Sequence, residues 1–353
     1  MSRRKSVSRR DDTTRMKAAL FNGPRSLTIT SKPIRKLEPG ELLVKVEVCG
    51  VCGTDVHIVD GTSRSTPPVV LGHEYAGVVA DTASTDNREL VGRRVAVDPN
   101  IACGICYFCR RGLVHLCSNL KALGVDIDGG MAEYSIVPER QVYLIPPAMP
   151  KETSAFIEPV SCTVHGIDRA GVKAGDTVII IGGGTIGLIM LQLAKNAGAA
   201  SVIVLEPIEH KRRIAAELGA ELVLDPSQGD PSALLRDAAI QGGDVVIECV
   251  GKPQTMQLAI DLARRGGTVE FFGVAPIGEK IPLEPNQVYY KELTIVGSYV
   301  NPHTFDRSIA LLTSGKLRVD AFQIDRFPLD GVHEALRRQK EGTTIKSIIV
   351  PNS

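Results

Sequence analysis

Four cysteines lie within fifteen residues of this chain, in the segment CGICYFCRRGLVHLC. The spacing of Cys103, Cys106, Cys109 and Cys117 lets one loop wrap four thiolates around a tetrahedral Zn²⁺. The short C-x-x-C separations strain a disulfide but suit a metal-binding turn. Four thiolates leave no coordination position open for a substrate, so the pattern predicts a structural zinc site. A [4Fe–4S] cluster is the alternative, although nothing else in the sequence indicates electron transfer.

Side chains that could bind a second metal occur in three other stretches, VCGTDVH, LGHEYAG and FIEPVSC. In chain order they are Cys52, Thr54, Asp55, His57, His73, Glu74, Glu158 and Cys162. Each alone is unremarkable, because a lone buried cysteine or histidine is more often a packing residue. Their joint occurrence in a β-rich half of the chain, next to the dinucleotide domain predicted below, predicts a metal site that keeps one coordination position open, where catalysis can take place.

A glycine-rich turn follows an apolar run in VIIIGGGTIG. Gly182, Gly184 and Gly187 form a G-x-G-x-x-G pattern between a predicted strand and a predicted helix, and Thr185 and Ile186 complete the turn. In such a turn the glycines let a pyrophosphate approach the backbone, and the helix N-terminus supplies N–H donors. The pattern therefore predicts a dinucleotide site.

Glu206 lies nineteen residues after Gly187, at the end of the next predicted strand. A carboxylate at this position accepts hydrogen bonds from the adenosine ribose and repels a 2′-phosphate, which favours NAD over NADP. Lys211 is a further candidate for the cofactor site. Together with Arg212 and Arg213 it could also neutralise a phosphate, so NADP remains the alternative.

The elements that must position these groups change in character near residue 175. Residues 16–150 contain short strands separated by glycines and prolines, a pattern typical of a barrel-like β domain. Between 175 and 299 apolar strands alternate with helices, which predicts a parallel sheet covered on both faces. The predicted fold class is α/β, with a doubly wound Rossmann sheet and a second, β-rich domain.

The composition limits the partners. With 353 residues the chain suggests about two domains. Its net charge of +1 and aromatic fraction of 4% do not favour nucleic acid, and no apolar run is long enough for a membrane span. Residues 1–15 carry six basic residues and predict a disordered tail. No apolar segment typical of a signal peptide follows, and clustered thiols suit a reducing compartment, so we expect a cytoplasmic protein.

Five motifs together resemble the zinc-dependent medium-chain alcohol dehydrogenases, and within them the polyol (sorbitol-type) and threonine dehydrogenase branch. They are C-G-T-D-x-H at 52–57, G-H-E at 72–74, the cysteine lobe at 103–117, E-P at 158–159 and G-G-G-x-I-G at 182–187. The resemblance covers residues 16 to 350. It implies a GroES-like catalytic domain at 16–160 with the zinc lobe at 100–118, an NAD-binding Rossmann domain at 161–299, and a return to the catalytic domain at 300–353.

The resemblance also implies roles for the residues of the open metal site. Cys52 and His73 match the catalytic zinc ligands, and Glu158 matches a ligand that binds directly or through water. Glu74 can coordinate as well, whereas Cys162 is a weaker alternative. Asp55 matches the carboxylate that orients His73, and Thr54 with His57 matches the relay that carries the alcohol proton to solvent. Two zinc ions per chain are expected, one catalytic and one structural.

The implied reaction is hydride transfer between NAD(H) and a secondary alcohol or ketone, with a polyol, inositol-like or sugar-derived substrate. Sorbitol-type enzymes carry an arginine after the last sheet strand, where this chain has Val300 or Asn301, which argues against sorbitol itself. L-Threonine 3-dehydrogenase and a general secondary-alcohol dehydrogenase are the alternatives. A dinucleotide-binding protein without catalysis is a further one. The resemblance implies a homodimer or homotetramer.

Overall fold

The computed structural model describes residues 14–353. Most of the predicted tail at 1–15, namely residues 1–13, lies outside the described residues. Arg15 does not belong to a tail, because it is the first residue of strand β1 and pairs with Pro33. Among the described residues, no helix is both long and apolar enough to cross a membrane.

The first part of the chain is built mainly from short strands. These are β1 (Arg15–Gly23), β2 (Ser26–Pro33), β3 (Glu41–Gly50), β4 (Val69–Val70), β5 (Glu74–Thr82), β6 (Arg94–Val97), β7 (Asn100–Ile101), β8 (Lys121–Ala122), β9 (Tyr134–Pro138) and β10 (Val142–Leu144). Three helices accompany them, α1 (Gly53–Asp60), α2 (Lys151–Ser154) and α3 (Ile157–Ala170). Strands β2, β1 and β4 form one small sheet, and most of the others join a second, larger sheet.

The second part alternates strands with helices, as the sequence predicts. Its strands are β11 (Thr177–Ile181), β12 (Ser201–Leu205), β13 (Leu222–Leu224), β14 (Gly243–Glu248), β15 (Ala263–Phe271) and β16 (Thr294–Gly297). Its helices are α4 (Thr185–Asn196), α5 (Glu209–Glu217), α6 (Pro231–Asp237), α7 (Pro253–Leu262) and α8 (Pro285–Lys291). The six strands are parallel, in the order β13-β12-β11-β14-β15-β16. This order reverses direction beside β11, where open α/β sheets bind their ligands.

The C-terminal part of the chain returns to the first. It contains α9 (Phe305–Thr313), β17 (Ile324–Pro328), α10 (Val332–Glu341) and β18 (Lys346–Val350). Strand β18 pairs with β3, which extends the large sheet to the order β10-β6-β5-β3-β18-β17, with β9 also paired to β3. Residues from the end of the sequence are therefore brought beside the strand that leads into Cys52.

Candidate active site and metal centres

Strand register brings the predicted ligands of the open metal site together. β3 ends at Gly50, which pairs with Glu74 at the start of the antiparallel strand β5. Continuing this antiparallel register by two residues sets Cys52 opposite Gly72, which directly precedes His73. On the other side of β3, Ile348 pairs with Gly50, and continuing that antiparallel register sets Lys346 opposite Cys52.

Gly50 is required for this close approach. A Cβ atom at this position would lie 2.3 Å from Glu74 Oε2 and 2.9 Å from Lys346 Cε. Real Cβ atoms do not approach other heavy atoms so closely. Any other residue at position 50 would push the side chains of Glu74 and Lys346 away from Cys52 and His73.

The donor atoms of Cys52, His73 and Glu74 lie within 4.8 Å of one another. One sulfur, one nitrogen and one oxygen donor form a set typical of catalytic zinc sites, which use three protein ligands and leave one position open. The Asp55 carboxylate is fully buried and supports two of these ligands. It accepts the N–H of Cys52 at 2.9 Å, and its other oxygen lies 3.5 Å from His73 Nδ1. With Nδ1 facing Asp55, Nε2 is the nitrogen available to a metal.

The electrostatics of the site favour a cation. Burial lowers the pKa of His73, but the charges of Asp55 and Cys52 outweigh burial and raise that pKa well above 6.5. The ammonium of Lys346 contacts the Glu74 carboxylate, and both side chains are almost completely buried. Burial lowers the pKa of Lys346, but the charges of Glu74 and Cys52 reverse this and raise it. Both shifts have the same cause, negative groups close to His73 and Lys346, and such surroundings suit a divalent ion.

Glu158 lies in the first turn of α3, outside the compact group of Cys52, His73 and Glu74. Burial raises the pKa of the Glu158 carboxyl to about 7, and the nearby charges of His73 and Glu74 also act on it. The thiol of Cys162, one turn further along α3, donates a hydrogen bond to Glu158 Oε1 at 3.4 Å. Glu158 and Cys162 therefore border the site, since the charges of His73 and Glu74 act on Glu158 and that of Cys52 acts on Cys162.

The predicted relay residues both belong to α1. Thr54 and His57 are three residues apart on this helix, so their side chains lie on the same face. His57 is exposed, and its Nδ1 lies 3.2 Å from Thr62 Oγ1. Cys52 caps the N-terminus of the same helix. Helix α1 thus extends from Cys52 to the exposed His57.

The four lobe cysteines also come together. Their sulfur atoms lie within 4.8 Å of one another, and none of the four forms a disulfide. Backbone N–H groups of Cys103 and Asn119 point at Cys117 Sγ, each at 3.3 Å. Backbone donors, first that of Cys109, lower the pKa of Cys106 to about 6, which favours the thiolate. Such N–H donors to sulfur, with four convergent thiols, fit a closed tetrahedral zinc site.

The predicted dinucleotide turn joins β11 to α4, as the motif requires. Gly182 has a φ of 102°, and a Cβ atom on Gly187 would lie only 1.8 Å from the carbonyl oxygen of Gly182. Gly184 caps α4, which starts at Thr185. The hydroxyl of Thr185 is buried and donates to the carbonyl of Ile345, the residue before β18. This bond links the dinucleotide turn to the C-terminal part of the chain.

Glu206 follows β12 and faces the same turn. Its carboxylate accepts the N–H of Gly183 at 2.7 Å and that of Ile208 at 2.9 Å. Lys211 is buried nearby, and burial lowers its pKa while Glu206 opposes this effect. The guanidinium of Arg212 forms an ion pair with Asp225 at 3.0 Å and donates to the backbone carbonyl of Glu206 at 2.9 Å.

Two residues important to the site were not identified from the sequence. Lys346 pairs with Glu74 across 272 positions, and only the strand pairing could have indicated it. Asn301 was considered as a replacement for an arginine, but its side chain is buried and bonded to Ser161 and Asn100. Of the two candidates for that position, Val300 is the more exposed.

Comparison with known proteins agrees with this architecture. The model of the alcohol dehydrogenase GroES-like domain matches residues 38–147, and that of the zinc-binding dehydrogenase family matches residues 185–314. D-arabinitol dehydrogenase 1 of Uromyces fabae is 33% identical over 341 residues, covering 96% of this chain and 97% of that protein. L-threonine 3-dehydrogenase of Pyrococcus abyssi is 35% identical over 326 residues, covering 90% of this chain and 93% of that one.

A solved structure is also similar. A protein of Sinorhizobium meliloti 1021 described as a zinc-binding dehydrogenase, crystallised with NADP, has 41% sequence identity and a TM-score of 0.91. The match covers 96% of this chain and all of that one. The fold class predicted from the sequence is confirmed. The chain is an oxidoreductase that belongs to the zinc-dependent medium-chain alcohol dehydrogenase family, which includes the polyol and threonine dehydrogenases.

Proposed function

We propose that this enzyme oxidises a secondary alcohol of a polyol or sugar-derived substrate with NAD, and reduces the corresponding ketone in reverse. The convergence of Cys52, His73 and Glu74 donor atoms within 4.8 Å carries the proposal. Glu158 is the candidate for a further ligand, directly or through water. The four lobe cysteines would hold a second, structural zinc ion, which gives two per chain.

Each group at the site has a separate role in the proposed reaction. Zinc supplies a Lewis acid that lowers the pKa of a bound hydroxyl, and the nicotinamide supplies the hydride acceptor. Asp55 holds His73 in one orientation and fixes the backbone of Cys52. Thr54 and His57 carry the released proton along α1 to solvent, because His57 is exposed. The buried surroundings exclude water from the reacting atoms.

The proposed cofactor preference is NAD over NADP. The Glu206 carboxylate is fixed by two backbone N–H groups at the turn that receives the pyrophosphate. A fixed negative charge there repels a 2′-phosphate. Arg212, which could offset this charge, is already paired with Asp225. The similar Sinorhizobium protein was crystallised with NADP, so the two cofactors must be compared directly.

The proposed substrate class rests on the similar dehydrogenases and on the residue found at the place of the expected arginine. D-arabinitol dehydrogenase supports a polyol, and Val300 or Asn301, at the place of the arginine expected in sorbitol-type enzymes, argues against sorbitol itself. L-Threonine is the second candidate, supported by the similarity to L-threonine 3-dehydrogenase. Incubation of the zinc-loaded enzyme with polyols, inositols, sugars and L-threonine should yield NADH with at least one polyol. NADH formation with L-threonine alone would contradict the polyol assignment.

We also propose a cytoplasmic homodimer or homotetramer. Strand β16 ends the parallel sheet, and Val274, Ile277 and Tyr289 near it expose more than three quarters of their surface. An open sheet edge with exposed apolar side chains suits pairing with a second copy. Free lobe thiols suit a reducing compartment. Light scattering in solution should give a mass of two or four chains, and a monomer would contradict the assembly.

A further inference from the structure

The segment between β16 and α9 contains two non-glycine residues with left-handed backbone conformations. Val300 has a φ of 47° and His303 a φ of 55°. A β-branched residue such as valine is sterically unfavourable there, and the conformation persists only where neighbouring contacts enforce it. The residues between them should therefore make specific contacts with the rest of the fold.

Asn301 makes those contacts. Its side chain is 2% exposed and accepts a hydrogen bond from Asn100 Nδ2 at 2.5 Å. Its own Nδ2 donates to Ser161 Oγ at 2.9 Å and lies 3.4 Å from Asp98 Oδ1. Thr304, also buried, donates to the backbone carbonyl of Ser161 at 2.7 Å. The segment is thus fastened at two points to one residue of α3.

Ser161 extends this connection to Glu158. Its hydroxyl is fully buried and donates to the backbone carbonyl of Glu158 at 2.6 Å, within the first turn of α3. The Glu158 carboxyl stands outside the group formed by Cys52, His73 and Glu74. Its distance from these donors therefore depends on where the first turn of α3 is held.

We propose that Asn301 is a positioning residue that sets the distance between Glu158 and the ligands Cys52 and His73. Asn301 acts through Ser161 and contacts none of the ligands. The inference rests on the role proposed above for Glu158 at the metal. Loss of the Asn301 amide would free the first turn of α3 and let the Glu158 carboxyl shift.

The visible spectrum of cobalt(II) substituted at the open site reports coordination geometry and tests this directly. We expect Asn301→Ala and Ser161→Ala each to change that spectrum and to lower kcat about tenfold, as loss of outer-shell support for a metal ligand does. The KM for NAD should not change. The double variant should have a kcat no lower than that of either single variant, because both substitutions break the same connection between Asn301 and Ser161.

Gln192→Ala is the matched control. Gln192 is also a buried amide, and it joins α4 to Arg318. Its loss should lower the Tm but leave the cobalt spectrum unchanged. A wild-type spectrum in Asn301→Ala and Ser161→Ala, or additive effects in the double variant, would overturn the proposal. If Asn301→Ala does not fold, Ser161→Ala still tests the connection with the loss of one hydroxyl.

Glu158→Gln distinguishes the proposed role of Glu158 from that of Asn301. A wild-type spectrum and turnover in this variant would refute the role of Glu158 and, with it, the role of Asn301. A changed spectrum in Glu158→Gln together with an unchanged one in Asn301→Ala would refute Asn301 alone and leave the proposed function intact.

Discussion

The ammonium of Lys346 contacts the carboxylate of Glu74, and the two side chains are only 3% and 2% exposed. The pair lies beside Cys52 and His73, so it borders the proposed catalytic metal. Removing one partner of a buried ion pair leaves the other charge unpaired and buried, which is strongly destabilising. Lys346 therefore compensates the buried Glu74 carboxylate and helps to hold it beside Cys52 and His73.

Lys346→Met should accordingly lower the free energy of unfolding by roughly 3–5 kcal/mol, because Glu74 loses its counter-charge. Lys346→Arg should lower the free energy of unfolding much less. A second change, Glu74→Leu in the Lys346→Met background, should restore part of the stability. Urea unfolding of the four proteins measures these differences. Equal stability of Lys346→Met and the wild type would show that the pair is not what holds Glu74.

Cys106→Ser should remove one of the two zinc ions per chain and lower the Tm. The lobe loses one of four thiolates, and closed zinc sites contribute directly to folding. Metal analysis and thermal unfolding measure the two effects. Ser118→Ala, in the same lobe but outside the ligand set, should change neither. Two retained zinc ions in Cys106→Ser would contradict a structural site formed by these cysteines.

Glu206→Gln should lower kcat/KM for NAD about tenfold and raise the ratio of NADP to NAD activity, because the fixed negative charge facing the adenosine ribose is lost. Steady-state kinetics with both cofactors measure the change. Glu209→Gln removes an exposed carboxylate three residues further on and serves as the control. A wild-type cofactor ratio in Glu206→Gln would refute this residue as the determinant.

Glu270→Gln should make the protein more stable at neutral and alkaline pH. Glu270 is fully buried in β15, and among the described residues neither carboxylate oxygen has a hydrogen-bond partner. Burial raises its pKa from 4.5 to about 8. The folded state then binds the proton more tightly than the unfolded state, so the wild type loses stability as pH rises from about 4.5 to 8.

The gain from Glu270→Gln should be on the order of 3 kcal/mol at pH 7 and close to zero below pH 4.5, where both states are protonated. Chemical unfolding at several pH values measures it. Glu279→Gln, an exposed carboxylate, is the control. The same pH dependence in Glu270→Gln and the wild type would contradict a neutral, buried Glu270.

Local features of the site could be predicted from the sequence. The lobe cysteines lie within fifteen residues, and the dinucleotide turn is a single strand–turn–helix unit, so residue spacing alone indicates both. The alternation of strands and helices likewise predicts the parallel sheet. Helix α8 is harder to predict, because its sequence PNQVYYK is short and lacks a clear apolar face.

Contacts between distant parts of the chain could not be predicted in the same way. Lys346 meets Glu74 because β18 pairs with β3, and no local pattern encodes that pairing. The role of Asn301 depends on a backbone turn with φ of 47° at Val300, which valine gives no reason to expect. The position of Glu158 depends on how α3 is anchored, so its sequence motif specifies the residue but not its distance from a metal.

Anomalous diffraction at the zinc edge, from crystals of the zinc-loaded protein, tests the central claim most directly. We expect two peaks per chain, one within about 2.3 Å of Cys52 Sγ and within bonding distance of His73 Nε2, and one among the four lobe sulfurs. A peak in the lobe with none between Cys52 and His73 would contradict a catalytic zinc site at these residues.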